Sequence, residues 1–229
     1  MDEKENRIYL GPGRADKVLV YDLKGNYLPD EVIRFGEIVH KSQIWVDYDK
    51  KNVVVVTLPF SANVNSNFAI NKNVCWVQNR DGDIVHRIPV NHYGLIGDYS
   101  NALVARRNVD AISFSISEIP MLRTRPDTLY HYDAVKNIIT PCFTIDHVVS
   151  ENQSASTVLY ETSRSYWAYV TLYPNDISSS AFSVRLTTFN VCVSKKDGNV
   201  RRIDRFTDPL LGLSHLFLMM NNGYICISY

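Results

Sequence analysis

The sequence lacks the features that mark a membrane span, a secretion signal or a strong electrostatic partner. No run approaches the roughly 18 apolar residues that a bilayer-crossing helix needs. The N-terminal stretch MDEKENRIYL is charged with mixed sign and has no apolar signal segment. Lys and Arg together number 24, as do Asp and Glu, so the formal net charge is zero. We therefore predict no nucleic-acid partner and no membrane span.

Short motifs with an assigned chemistry are also missing. The six histidines show no HxH, HExxH or other zinc spacing, and no GxSxG nucleophile motif occurs. The stretch GPGRAD, residues 11–16, lacks GxGxxG and GK(S/T) and precedes a strand, which indicates a connecting turn. We predict no cofactor, no catalytic residue and no metal ligand. Metal ligands that converge from separate strands would leave no spacing in the sequence.

Cysteine is scarce, and its spacing gives no disulfide or metal pattern. The four cysteines lie in apolar, strand-like contexts such as NVCWV and contain no CxxC pair. They are Cys75, Cys142, Cys192 and Cys226. We interpret them as buried reduced thiols, the alternative being disulfide pairing, because free cysteine behaves as a small hydrophobic residue.

The sequence is rich in short runs of β-branched and aromatic residues. Examples are KVLVYDL, NVVVVTL and SYWAYVTLY, each bounded by Gly, Asn, Asp, Ser or Pro. Such runs predict strands. No window sustains the apolar stripe of a helix, and PDEVIRFGEIV, residues 29–39, allows one helical turn at most. The predicted class is all-β.

One hairpin pattern recurs along the chain. In each copy two predicted strands are joined through a turn centred on Gly25, Gly82, Asn137 or Gly198. The four copies are, in chain order, VYDLKGNYL, VQNRDGDIV, YHYDAVKNIITPCF and VSKKDGNVRRI. The intervals are 57, 55 and 61 residues. Each hairpin would supply the outer two strands of a four-stranded blade, with upstream runs supplying the inner two. Regular spacing favours a β-propeller. The alternative is a β-sandwich with chance similarity between its turns.

These hairpins carry a resemblance to a known family. NRIYLGPGRADKVLVYDLKGNYLPDEV resembles a unit of the bacterial six-bladed β-propeller proteins, often lipoproteins of the cell envelope. A later unit of the same family is similar to RPDTLYHYDAVKNIITPCFTID, residues 125–146. The unit after it is similar to YETSRSYWAYVTL followed by VCVSKKDGNVRRIDRFTDPLLG. The likeness covers most of residues 6–212. It implies a binding platform of unassigned ligand in the cell envelope or periplasm.

The length departs from that family. At about 57 residues per unit, 229 residues would give four blades rather than six, the last being incomplete at LFLMMNNGYICISY. We therefore expect one partial propeller domain over residues 1–229. An open propeller has unpaired strand edges, so homo-oligomerisation or a partner that completes the ring is a further hypothesis.

Arginines near one blade's loops are the first candidate ligand residues. They are Arg106, Arg107, Arg123 and Arg125. They could bind an anionic ligand at one mouth of the propeller channel. The alternative is that they are solvated loop charges.

An aromatic strand is the second candidate. Alternation places Trp167, Tyr169 and Tyr173 on one face and Tyr166 on the other. The first three could stack on a sugar ring, with Arg164 adding hydrogen bonds. The alternative is that these aromatic residues pack between adjacent blades.

The function predicted from the sequence is a non-enzymatic binding or scaffold module with an unknown ligand, either a glycan or a protein partner. The alternative is a lyase or glycoside hydrolase with an acid/base or metal site at the channel mouth. Convergence of histidine and carboxylate side chains would favour the enzyme.

Overall fold

The structure is a computed structural model of the whole chain. The residues it describes are 5–11, 14–40, 42–47, 52–57, 71–90, 93, 102–107, 112–117, 126–175, 186–204, 206–207, 214–215, 219–221 and 224–226. Within this part of the chain no helix is long and apolar enough to cross a membrane.

The described residues form an all-β protein, which confirms the predicted class. A first sheet contains β1 (Arg7–Leu10), β2 (Arg14–Asp22) and β3 (Ile33–His40). A second contains β4 (Ser42–Asp47), β5 (Asn52–Thr57), β6 (Asn73–Asn79) and β7 (Ile84–Pro89). A third contains β8 (Ala102–Arg107), β9 (Ile112–Ser117), β10 (Asp127–Asp133) and β11 (Ile138–Ile145). A fourth contains β12 (Gln153–Glu161), β13 (Ser165–Pro174), β14 (Thr187–Ser194) and β15 (Val200–Ile203).

Two short strand pairs follow the fourth sheet. They are β16 (Phe206–Thr207) with β17 (Ser214–His215), and β18 (Met219–Asn221) with β19 (Tyr224–Cys226). In each of the four larger sheets the strands pair with their sequence neighbours, which makes the sheet a meander. The segment predicted to allow one helical turn contains a 3₁₀ turn, Pro29–Glu31.

The four predicted turns share one backbone feature. Gly25, Gly82, Asn137 and Gly198 have φ angles of 85°, 101°, 55° and 71°, and each precedes the last strand of its sheet. Glycine adopts positive φ without steric cost, and asparagine tolerates it better than most residues. The four predicted turn positions thus share positive φ, whereas their role as the turns of equivalent blades stays a prediction. The similarity extends to side chains, since Oδ1 of Asp22 and of Asn79 each accepts two backbone N–H groups of its turn.

Contacts divide the chain into two compact units, and the prediction of one domain stays a prediction. Unit 1 comprises residues 1–99 and 134–138. Its core contains the alternating valines of β2 and β5, with Ile33, Val39 and Trp76. Trp76 Nε1 donates to Gln78 Oε1 at 2.8 Å, and Gln78 Nε2 donates to the Arg34 carbonyl oxygen at 2.5 Å. This fully buried amide is thus hydrogen-bonded.

Unit 2 comprises residues 100–133 and 139–229 and contains the candidate site. Strand β12 alternates between buried and partly exposed positions, so that one face turns towards the core. That face carries Ala155, Thr157, Leu159 and Glu161, all buried. It packs with Leu129 of β10 and with residues of β13. The same alternation that buries Leu159 therefore also buries the carboxylate of Glu161 at the strand end.

Candidate functional site

A buried carboxylate at the end of β12 organises the candidate site. The Glu161 side chain is 3% exposed. Its Oε2 accepts hydrogen bonds from Ser113 Oγ of β9 at 2.5 Å and from His131 Nε2 of β10 at 2.6 Å. Its other oxygen, Oε1, accepts from Lys195 Nζ, just beyond β14. Four sequence segments thus meet at one carboxylate.

The hydrogen bonds at Glu161 decide its charge. Burial opposes ionisation and would raise the pKa of Glu161. The bonds from His131, Lys195 and Ser113 favour the charged form and together lower that pKa to about 2. Glu161 is therefore an anion throughout the physiological pH range.

His131 is a cation in the same range. Its hydrogen bonds to Cys142 and then to Glu161 raise the pKa of His131 to about 10, although burial opposes the charged form. Cys142 Sγ also donates to the Leu129 carbonyl oxygen at 3.4 Å. One nitrogen of His131, Sγ of Cys142 and one oxygen of Glu161 all lie within 4.8 Å of one another. The site thus brings together an imidazole, a thiol and a carboxylate.

Aromatic rings flank this cluster. Tyr166 of β13 stacks on Phe143 of β11 with ring centroids 4.5 Å apart and an interplanar angle of 5°. Lys195 Nζ lies 4.8 Å from the centroid of the Tyr166 ring, within the range of a cation–π contact. Burial is the main cause that raises the pKa of Tyr166, and the charge of Glu161 adds to it, so that the phenol is neutral at pH 7. The ammonium of Lys195 thus contacts both the carboxylate of Glu161 and the ring of Tyr166.

Two of the predicted arginines have their backbones beside this cluster. Arg164 is exposed in the turn between β12 and β13, and its carbonyl oxygen accepts the Lys195 N–H at 2.9 Å. Arg106 pairs in register with Ser113, and Arg107 pairs with Ile112. The side chains of Arg106 and Arg107 lie outside what the structure describes, as do all atoms of Arg123 and Arg125.

The predicted alternation of the aromatic strand is confirmed. Ala168 and Val170 are buried on the core face of β13, and Tyr166 packs against the same core. Trp167 and Tyr169 occupy the opposite face and are half-buried. Trp167 pairs with Tyr160 on one side and with Cys192 on the other. Whether this face binds sugar stays a prediction.

A second polar cluster lies on the same core face but is more deeply buried. His147 Nε2 lies 2.5 Å from Thr157 Oγ1 and 3.4 Å from Asp127 Oδ2. A nucleophile–base–acid relay would use the two different ring nitrogens, whereas both contacts here involve Nε2. Thr157 is 1% exposed and Asp127 is 3% exposed. The arrangement therefore ties polar groups together, and its histidine side chain is 9% exposed against 34% for His131.

The cysteine interpretation is partly confirmed. Cys75, Cys142 and Cys192 are free thiols, and Cys75 is fully buried. Burial raises the pKa of Cys75 well above its ordinary value. Cys142 and Cys192 are only partly buried, and the Cys226 side chain lies outside the described residues. Cys142 therefore differs from the expected core thiol, because it lies on β11 at the edge of its sheet.

The sequence reasoning missed the cluster at Glu161. The partners of Glu161 are 48, 30 and 34 residues away from it in sequence. No spacing motif spans such distances. The available signal was the alternation of β12, which places Glu161 in phase with Leu159. No protein-family model, curated protein or solved structure matches this chain.

Proposed function

We propose that this chain is a non-enzymatic binding module of the β-propeller type, with each of the four sheets as one blade. The observation that carries the proposal is the recurrence of one meander with a positive-φ turn before its last strand. Repeated, consecutive antiparallel sheets are typical of propellers, whereas the strands of Greek-key sandwiches exchange between sheets. The first sheet has three strands and the next three have four. By its resemblance, the module belongs in the cell envelope or periplasm.

We further propose that the ligand is anionic and binds at the basic end of unit 2, which we define as His131, Lys195 and Arg164. The first two are cations that share the single carboxylate of Glu161. Their side chains are 34% and 27% exposed, so they also reach solvent. Arg164 is exposed, and its backbone carbonyl oxygen accepts the Lys195 N–H, so its side chain starts from the same end of the unit. These four residues therefore have a positive sum, which favours a carboxylate- or sulfate-bearing glycan over a neutral one.

Binding of matched charged and neutral oligosaccharides tests this proposal. We expect uronate or sulfated oligosaccharides to bind in calorimetry and their neutral counterparts not to bind. Arg164→Ala should weaken the binding several-fold, and added salt should weaken it further. Arg34→Ala is the matched control, because Arg34 is exposed on β3 of unit 1. Equal binding of charged and neutral sugars, or equal effects of the two variants, would contradict an anionic ligand.

The aromatic face of β13 provides a second test of glycan binding. If Trp167 stacks on a sugar ring, Trp167→Ala should abolish binding of the charged oligosaccharides, whereas Arg164→Ala should weaken it only several-fold. A Trp167→Ala variant that folds and binds normally would exclude the aromatic face as the contact surface.

Distances between spin labels placed on the four sheets test the blade arrangement. Sheets arranged around a common axis would support the propeller, and two sheets packed as a sandwich would contradict it. Sedimentation analysis tests the proposed association through open edges. A monodisperse monomer would count against that association.

The alternative function is a lyase or hydrolase with a metal or acid/base site. The convergence of His131, Cys142 and Glu161 is the observation that favours it. Paired-carboxylate glycoside hydrolysis draws no support from this cluster, since only one of its three members is a carboxylate. The enzyme would be established if the chain depolymerised an acidic polysaccharide and His131→Gln lost this activity while it still bound the ligand. That result would exclude the non-enzymatic module.

A further inference from the structure

We propose that His131, Cys142 and Glu161 form a binding site for a divalent transition-metal ion of the zinc type. The three residues come from β10, β11 and β12, so the sheet framework fixes their backbones. His131 also belongs to the basic end defined above, but this proposal goes beyond the ligand proposed there, because it rests on the donor atoms and on the contacts that orient them.

The donor set selects the class of metal. An imidazole nitrogen, a thiolate sulfur and a carboxylate oxygen are the ordinary ligands of Zn²⁺, whereas Mg²⁺ and Ca²⁺ prefer oxygen alone. The three donor atoms lie within 4.8 Å of one another. Ligand atoms around a tetrahedral Zn²⁺ with bonds of about 2.0–2.3 Å are roughly 3.3–3.7 Å apart. Small side-chain rotations would therefore bring the cluster to coordination distance.

The hydrogen bonds around Glu161 already resemble the outer contacts of a metal site. Lys195 Nζ binds Oε1 of Glu161, while Ser113 Oγ and His131 Nε2 both bind Oε2. A metal bonded to Oε2 and to Nε2 would replace only the proton between those two atoms. The contacts from Lys195 and Ser113 could persist and hold the carboxylate in place. Outer hydrogen bonds of this kind orient metal ligands and raise affinity.

Charge and access are also compatible with an ion. On coordination, the imidazolium proton of His131 and the thiol proton of Cys142 pass to solvent. The two positive charges of the ion then equal the negative charges of the Glu161 carboxylate and the Cys142 thiolate, so the ion and its three ligands are neutral together. Lys195 can keep its contact with Oε1 of Glu161. His131 is 34% exposed whereas Glu161 is 3% exposed, so the ion has an approach from the histidine side. Three protein ligands leave a fourth position open for water or an anionic group.

Metal titration of the full chain tests the proposal. We expect the chelator-treated protein to bind one equivalent of Zn²⁺ in calorimetry, and Co²⁺ to give a thiolate-to-cobalt charge-transfer band. Cys142→Ser should abolish the band and weaken Zn²⁺ binding by at least about 100-fold. Cys192→Ser is the matched control, since Cys192 is also a partly exposed free thiol but lies on the opposite face of its sheet. It should bind both ions like the wild-type chain.

A measurement on the unmodified chain covers the case in which Cys142→Ser does not fold. Zn²⁺ should protect Cys142 from alkylation, as located by peptide mass spectrometry, and should leave Cys192 reactive. Lys195→Met and Ser113→Ala should each weaken Zn²⁺ binding about 10- to 100-fold. The proposal is overturned if the wild-type chain shows no charge-transfer band. Equal protection of the two cysteines or retention of the band in a folded Cys142→Ser variant would also overturn it.

Discussion

Removing the negative charge of Glu161 should destabilise the protein more than removing that of Glu151, in the turn before β12. Glu161→Gln keeps the shape of the side chain but replaces an anion that accepts three hydrogen bonds with a neutral amide. The amide has one oxygen, so at least one of Ser113, His131 and Lys195 loses its acceptor. Two cations also lose their common counter-ion.

The magnitude follows from the shifted pKa of Glu161 and from burial. The pKa is lowered from 4.5 to about 2. At about 1.4 kcal/mol per pKa unit, this corresponds to about 3 kcal/mol in favour of the ionised side chain. Breaking a buried ion pair typically costs about 3–5 kcal/mol, but water can partly solvate exposed cations. Because His131 and Lys195 are 34% and 27% exposed, we expect a loss of about 2–3 kcal/mol.

Urea unfolding with a chelator present measures this loss. Glu151→Gln is the matched control, because Glu151 is exposed in the turn before β12 and should change the free energy of unfolding by less than about 0.5 kcal/mol. A double-mutant cycle with Lys195→Met should give a coupling energy of about 1 kcal/mol or more. A Glu161→Gln variant as stable as the control would refute the reasoning from burial and charge.

The pH dependence of stability follows from the same two groups in the metal-free chain. The contribution of Glu161 is present above pH 4.5 and is lost as the pH falls through about 2. The contribution of His131 is fully present below pH 6.5 and is lost as the pH rises through about 10. Stability should therefore be highest between pH 4.5 and 6.5. It should decline towards pH 9, and this decline should shrink in Glu161→Gln.

Three further predictions concern the framework. A Cβ at Gly36 would lie 2.4 Å from a carbonyl oxygen in the neighbouring turn, so Gly36→Ala should cost about 2–4 kcal/mol in urea unfolding. A Cβ at Gly11 meets no described atom within 4 Å, so Gly11→Ala should cost little. A Cβ at Gly198 also meets no described atom within 4 Å, but φ is 71° there, so Gly198→Ala should cost only backbone strain of about 1 kcal/mol, and a larger loss would contradict this reasoning. Arg7 donates two hydrogen bonds to Glu31 and lowers its pKa, so the stability from this pair is present above pH 4.5 and lost below it. Arg7→Met should therefore lower the free energy of unfolding less at pH 3 than at pH 7. Since the pair is partly exposed, we expect the two losses, measured by urea unfolding, to differ by about a few tenths of a kcal/mol. Equal losses at the two pH values would contradict a stabilising ion pair.

Strands and turns could be predicted because local chemistry determines them. The valines of β2 and β5 alternate in sequence as they alternate in the sheet. The turns can be recognised in the sequence because few residue types other than glycine and asparagine adopt positive φ. The residues concerned are Gly25, Gly82, Asn137 and Gly198. The arrangement of the sheets depends instead on contacts between residues far apart in sequence. Gly36 illustrates this, since its sequence context shows nothing of the carbonyl oxygen that faces it.

The candidate site could not be predicted for the same reason. The alternation of β12 indicates that Glu161 points to the same side as Leu159, but it says nothing about which cations will meet the carboxylate. That depends on the register between β9 and β10 and on how β12 packs against both. The sequence places Arg164 beside an aromatic strand, whereas in the structure its carbonyl oxygen connects it to the site by accepting the backbone N–H of Lys195.

A comparison of the two polar clusters of unit 2 indicates where a ligand could bind. Buried ion networks stabilise a fold little compared with apolar packing of the same volume, so their presence alone does not identify a functional site. At the Asp127 cluster the side chains of His147 and Asp127 are 9% and 3% exposed. At the Glu161 cluster the histidine side chain is 34% exposed and a thiol adds a third kind of donor atom. Since a ligand needs both access and donor atoms, we expect a ligand to bind at the Glu161 cluster rather than at the Asp127 cluster.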